Sequence, residues 1–206
     1  NVAMVVFRLL SSSFIEYNVK EEESIVLSLD SLKQVLGRSK ASDSVIFELN
    51  EETNKLNIRF EGETKRDFNL SLLEGSNEDQ KVPELDFPGV VELNNFVFNE
   101  AIDDMDIISD SIVLNLSQEG LRMEAVGNTS DAKANLIVKD GGELICPEDP
   151  IKSKYSIEYL KKIAKGGKLA NNVTLKFGPD YPLQIEYLVQ DKLSLMTILA
   201  PRVSND

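Results

Sequence analysis

Histidine is absent from the 206 residues, and cysteine occurs once, at Cys146. The first absence removes the commonest general base, every Ser-His or Cys-His nucleophile pair and most zinc sites. The second excludes an intramolecular disulfide and fits a reducing compartment. No apolar run approaches the roughly 18 residues of a membrane-spanning helix, and no signal peptide is recognisable. Positive charge is also short: 22 Lys and Arg against 35 Asp and Glu leave a net charge of −13. A chain that wraps tightly around nucleic acid is usually basic, so any contact with DNA must be local or loose. What is present is 42% hydrophobic residues, enough for one large core or two domains of about 100 residues each. The chain opens at Asn1 and runs at once into the apolar stretch Val2–Leu10, so a preceding segment is expected.

Most of the sequence alternates with period two. Val45, Phe47 and Leu49 share a face, as do Leu56, Ile58 and Phe60, and Phe68, Leu70 and Leu72. The pattern returns at Ile112–Leu116, Leu121–Ala125, Val173–Phe177 and Leu183–Tyr187. Such alternation predicts strands with one buried face. Turn residues at Asn50–Asn54, Gln118–Gly120, Gly178–Asp180 and Gln190–Lys192 separate them into antiparallel meanders. Three segments switch to helical spacing: roughly 30–38, 95–108 and 157–165. Each has one apolar face to lay on a sheet.

A shift of 128 residues lays Leu27–Leu36 over Tyr155–Ala164. Ser28 falls on Ser156, each placed to cap a helix, and Asp30 falls on Glu158, each in a first turn that favours an acid. Lys33 falls on Lys161, Lys40 on Lys168 and Val45 on Val173; Leu56–Phe60 matches Leu183–Tyr187 once one residue is removed. The order of cap, acid, stripe, base and strand pair predicts a duplicated α+β fold: antiparallel sheets with amphipathic helices on one face. The domains are 1–73, short of about 40 N-terminal residues by the repeat, and 90–206. The connector 74–89 is rich in Pro, Gly and acid, and extended. The incomplete first domain would expose open sheet edges.

With these features in view, the chain resembles the proliferating cell nuclear antigen family of DNA sliding clamps, archaeal in type. Leu199-Ala-Pro-Arg-Val203 is similar to that family's closing motif, Asp180–Tyr187 to its penultimate hairpin, Asn1–Phe7 to the strand after its first meander, and Ser109–Ile112 to a turn after an inner helix. The resemblance spans essentially the whole chain. It implies a ring of three subunits joined head to tail, with sheets outside and helices lining a hole for duplex DNA. The implied role is a processivity factor of replication and repair with no catalysis and no cofactor. Partners would be polymerases, nucleases and ligases, and an ATPase loader would open the ring. No membrane is involved; the location would be the archaeal nucleoid, or the nucleus in a eukaryote. The chain as it stands is expected not to close a stable ring.

The resemblance also implies three surfaces. Peptides of the type Gln-x-x-Leu-x-x-Phe-Phe would dock at Met4, Val82, Pro83, Pro182, Ile198, Ala200 and Pro201, a small apolar set stiffened by prolines, with a flexible Met. DNA would meet Lys33, Arg38, Lys40, Lys161, Lys162, Lys165 and Lys168, loosely and without sequence preference. Read alone, these bases also suit a solvated face or late helical turns. Subunits would pair edge strands through Phe68 and Leu70 of one copy and Ala132, Ala134 and Leu136 of the next. The second helix departs from the family: Glu100, Asp103, Asp104 and Asp106 stand where clamps usually present bases. Two other readings stay open on the residues: a duplicated β-rich interaction module without a DNA role, and an acid–metal phosphodiesterase built on Asp103, Asp104 and Asp106. Gly141-Gly142 and Gly166-Gly-Lys168 lack phosphate-loop spacing. Cys146, before a proline, has no expected role.

Overall fold

A computed structural model describes residues 2–74, 81–138 and 141–202. Asn1 and Val203, which bound two of the motifs above, lie outside the described residues. The chain forms two units: Asn18–Pro83, and Asn1–Tyr17 together with Glu84–Asp206.

In the smaller unit, α1 (Leu29–Leu36) precedes the meander β2 (Ser44–Asn50), β3 (Lys55–Glu61) and β4 (Lys65–Ser71). Ser28 caps α1: its hydroxyl accepts from the Ser31 amide at 3.3 Å. The core is Leu56, Ile58 and Phe60, with Leu32, Val35 and Leu36 of α1 and Phe68 and Leu70 of β4 packed against it. Val45, Phe47 and Leu49 pair with Phe60, Ile58 and Leu56 across the β2–β3 ladder. They nevertheless remain 36–46% exposed. The sequence predicts a buried face there; α1 covers β3 and stops short of β2.

The larger unit holds two sheets. One runs β1 (Ala3–Leu9), β13 (Leu193–Leu199), β12 (Leu183–Val189), β11 (Asn172–Phe177), β5 (Gly89–Asn94) and β9 (Leu144–Ile145). The other runs β10 (Ile151–Ser156), β6 (Ser111–Ser117), β7 (Gly120–Val126) and β8 (Asp131–Leu136). All recorded pairings are antiparallel. Helices α2 (Asn95–Asp106) and α3 (Ile157–Ala164) bury Phe98, Ile102, Met105, Ile157 and Leu160 in the core these sheets share. Each such side chain stabilises by about 1.5–3 kcal/mol. Asn94 caps α2 by accepting from the amides of Phe96 and Val97. Ser156 stands at the start of α3, but its side chain makes no capping bond.

The repeat holds at the level of elements to within a residue. Moved by 128 residues, α1 falls on α3, β4 falls on β13, and β1 falls on β8 to within a residue. Within the larger unit β1 and β13 are neighbours, in a register that sets Met4 opposite Ile198 and Val6 opposite Met196. Their counterparts β8 and β4 are both outermost strands.

Candidate functional site

Five of the expected docking residues gather at one end of the sheet, where β1 and β12 begin and β13 finishes. Leu183, Ile185, Tyr187 and Leu199 enter the core from one face of this sheet. Met4 and its cross-strand neighbour Ile198 lie on the opposite face. Ala200 follows two residues after Ile198, and Pro182 stands immediately before β12. Met4, Pro182, Ala200 and Pro201 are half-buried, and Ile198 is 8% exposed. Val82 and Pro83 belong to the smaller unit, where both are exposed.

The ends of these strands are tied down. The Ala200 amide donates to the Val2 carbonyl at 2.9 Å, and the Arg202 amide to the Lys154 carbonyl at 2.7 Å. The Arg202 guanidinium lies 2.8 Å from Asp110 and holds that carboxyl below the usual range. Beside Pro182, the Tyr181 carbonyl accepts from the Tyr155 hydroxyl at 2.7 Å. Burial pushes the Tyr155 phenol upward, so it remains a donor at any ordinary pH. The Phe87 ring meets Tyr181 edge-on at 5.8 Å. Fixed walls leave less conformational freedom to lose when a ligand docks.

The expected basic residues divide by partner. In the larger unit, Lys161 and Lys162 project from α3, and Lys165 and Lys168 from the 3-10 turn that follows it. Lys161 Nζ lies 2.6 Å from Asp106 Oδ2 and 3.7 Å from Asp103 Oδ1, and the hydrogen bond to Asp106 raises its pKa. Lys162 pairs with Glu158 at 2.7 Å. Lys165 and Lys168 have no ion-pair partner among the described residues. In the smaller unit, Lys40 stands 3.7 Å from Glu63, and the side chains of Lys33 and Arg38 have no ion-pair partner among the described residues.

A cleft of about 360 Å³ lies between α2 and the α3 turn, with Asp103, Lys161, Lys165 and Lys168 around it. Its base is a pair of asparagines the sequence reading missed. Asn95 Nδ2 donates to the Gly167 carbonyl at 2.8 Å, and Asn99 Nδ2 to Asn95 Oδ1 at 3.0 Å and to the Ala164 carbonyl at 3.3 Å. Their i, i+4 spacing on a predicted helix was the available signal. A Cβ at Gly167 would fall 1.9 Å from Asn95 Oδ1, so glycine lets the turn approach α2.

Family models of proliferating cell nuclear antigen match both parts: the N-terminal domain over residues 1–79 and the C-terminal domain over 81–202. The chain belongs to the proliferating cell nuclear antigen family. It is 37% identical over 203 residues to the DNA polymerase sliding clamp of Thermococcus gammatolerans, covering 98% of this chain and 81% of that one. It is 35% identical over 205 residues to the DNA polymerase sliding clamp of Nanoarchaeum equitans, covering 98% and 82%. The crystal structure of PCNA from Thermococcus kodakaraensis superposes with a TM-score of 0.86 at 28% identity, over 98% of this chain and 82% of that one.

Within the α+β fold of this family, β4 and β8 are the outermost strands named above as subunit edges. Phe68 and Leu70 pack on the core of the smaller unit, and Ala132, Ala134 and Leu136 on that of the larger. What each edge offers outward is its backbone and the alternate residues, among them Asn69 and Lys133. Among the described residues no group of three acidic, His or Cys side chains is arranged to hold a metal; Asp103 and Asp106 hold a lysine instead. Cys146 is half-buried, its thiol donates to the Leu116 carbonyl at 3.4 Å, and burial pushes its pKa up, away from reactivity. No helix among the described residues is long and apolar enough to cross a membrane.

Proposed function

We infer that this chain is a subunit of a DNA sliding clamp, a scaffold without catalysis that holds replication and repair enzymes at duplex DNA. The acid-metal phosphodiesterase has no support in the family, and an interaction module without DNA fits it less well. Polymerases, nucleases and ligases carrying Gln-x-x-Leu-x-x-Phe-Phe segments dock at Met4, Pro182, Ile198, Ala200 and Pro201. Duplex DNA meets the basic side of α1, α3 and the turn after α3. An ATP-driven loader opens the ring around DNA, at the site of the chromosome. Retention by encirclement needs no tight contact, which accommodates a net charge of −13.

The observation that carries ring assembly is the duplicated edge. β1 pairs with β13 inside the chain, and the 128-residue repeat turns that pair into β8 of one copy beside β4 of the next. The same register sets Ala132 opposite Leu70 and Ala134 opposite Phe68 of the neighbour. Heterologous pairing of this kind joins copies head to tail, three to a ring in the sliding clamps this chain resembles.

The register has a direct test. Val5 faces Thr197 in the β1–β13 ladder, so Lys133 faces Asn69 across the proposed interface. Directly opposed strand residues lie about 4.5–5.5 Å apart, within disulfide reach. The double variant Asn69→Cys with Lys133→Cys is expected to give disulfide-linked dimers and trimers on mild oxidation, while each single variant does not. A folded double variant that remains monomeric in denaturing electrophoresis would contradict the pairing.

A further inference from the structure

The acids of α2 occupy a place where they do not help the helix. Asp103 and Asp106 fall in its last turn, which carries no base, and a carboxylate at a helix C-terminus opposes the macrodipole. Glu158 and Asp30, by contrast, sit in first turns, where an acid is favoured. The last-turn acids are aimed at a neighbour: Asp106 Oδ2 is 2.6 Å from Lys161 Nζ, with Asp103 Oδ1 behind it at 3.7 Å. Lys161 belongs to α3, so the contact joins two helices, and all three side chains are 41–71% exposed. An exposed pair of this kind adds little to stability. It does fix the charge seen from outside, because one lysine faces two carboxylates.

We propose that Asp106, seconded by Asp103, occupies Lys161 in place of a DNA phosphate, so that the duplex is touched through Lys165 and Lys168 and the contact stays weak enough to slide. This rests on the reading of the α3 side as DNA-facing. A carboxylate oxygen and a phosphate oxygen accept from an ammonium in the same way. The tethered carboxylate is always present, and it also repels an approaching phosphate. The acidic helix is thereby a setting of drag on DNA.

The test is fluorescence anisotropy of a labelled 20-base-pair duplex across a salt series, with circular dichroism to verify folding. Asp106→Asn removes an unfavourable helix-end charge, so the variant folds. It is expected to bind about three- to tenfold tighter at about 50 mM salt, and to steepen the salt dependence by about 0.9, one more counterion released. Lys161→Ala in the unaltered chain should change the slope by less than half of that, whereas in the Asp106→Asn background it should abolish the gain. Unchanged binding by Asp106→Asn, or a full loss from Lys161→Ala alone, overturns the proposal. The double variant Lys165→Ala with Lys168→Ala separates the two levels. If it weakens binding while Asp106→Asn does nothing, only the masking of Lys161 fails. If it has no effect either, the DNA-facing reading fails with it.

Discussion

Replacing Phe98 by alanine lowers the stability of the larger unit by about 3–5 kcal/mol, the cost of emptying an aromatic site in a packed core. Phe98 is fully buried, in one cluster with Ile102, Met105, Leu160 and Tyr187. It fastens α2 to the core that both sheets share, and a typical domain has only about 5–15 kcal/mol in total. Phe96, two residues earlier on the same helix, is 65% exposed; its alanine variant should stay within about 0.5 kcal/mol of the parent. Chemical denaturation followed by circular dichroism reads both. Equal effects at the two positions would mean that the α2 face is assigned wrongly. With it would go the placement of Asn95, Asp103 and Asp106.

Gly120→Ala is the second change with a large expected effect, and it acts on β8, the outermost strand proposed to pair with a neighbouring copy. Gly120 opens β7 with φ +128°, a conformation that side-chain-bearing residues rarely adopt. A Cβ there would lie 2.6 Å from the Leu136 carbonyl oxygen, a backbone atom of β8 that cannot swing aside. The strained backbone alone costs about 1–3 kcal/mol, and relieving the clash pushes the end of β8 away from β7. Gly141 supplies the comparison: its φ is also positive, at +86°, but nothing lies within 4 Å of its Cβ position. Gly141→Ala therefore carries the backbone cost alone. Hydrogen exchange should show β8 amides opening in the first variant and not in the second. The cross-link between positions 133 and 69 should weaken in parallel. Retained protection of β8 in Gly120→Ala would contradict the close approach.

Much of this was legible in the sequence because it rests on period. Strands with two-residue alternation, such as Ile112–Leu116 and Leu183–Tyr187, fall where the pattern puts them, and their apolar members are buried. The 128-residue repeat located α1 and α3 and linked their first-turn acids. What the sequence could not supply is what depends on neighbours far along the chain. Val45, Phe47 and Leu49 alternate correctly, yet burial needs a covering layer that α1 does not provide. Nothing local says that β1 will pair with β13 some 190 residues away. The acidic α2 was legible as a departure from the family. Only the packing of α2 beside α3 puts Asp106 on Lys161 and makes the departure a paired charge. The asparagine pair shows in the sequence only as an i, i+4 spacing; its bonds to the turn after α3, and the Gly167 approach, depend on contacts between distant elements.

We propose that this chain is a clamp subunit to which enzymes are tethered by short peptides. The most direct measurement is calorimetric titration of the folded chain with a Gln-x-x-Leu-x-x-Phe-Phe peptide, beside a Pro201→Asp variant. Pro201 lies just beyond β13, half-buried and held from the next residue by Arg202. A carboxylate there would be desolvated against the aromatic side chains of the peptide, with no base assigned to pair with it. The expected result is one site of about micromolar affinity, a binding free energy near −8 kcal/mol, lost in Pro201→Asp while the fold is kept. Absence of binding by the folded chain, or equal binding by the variant, would contradict the account.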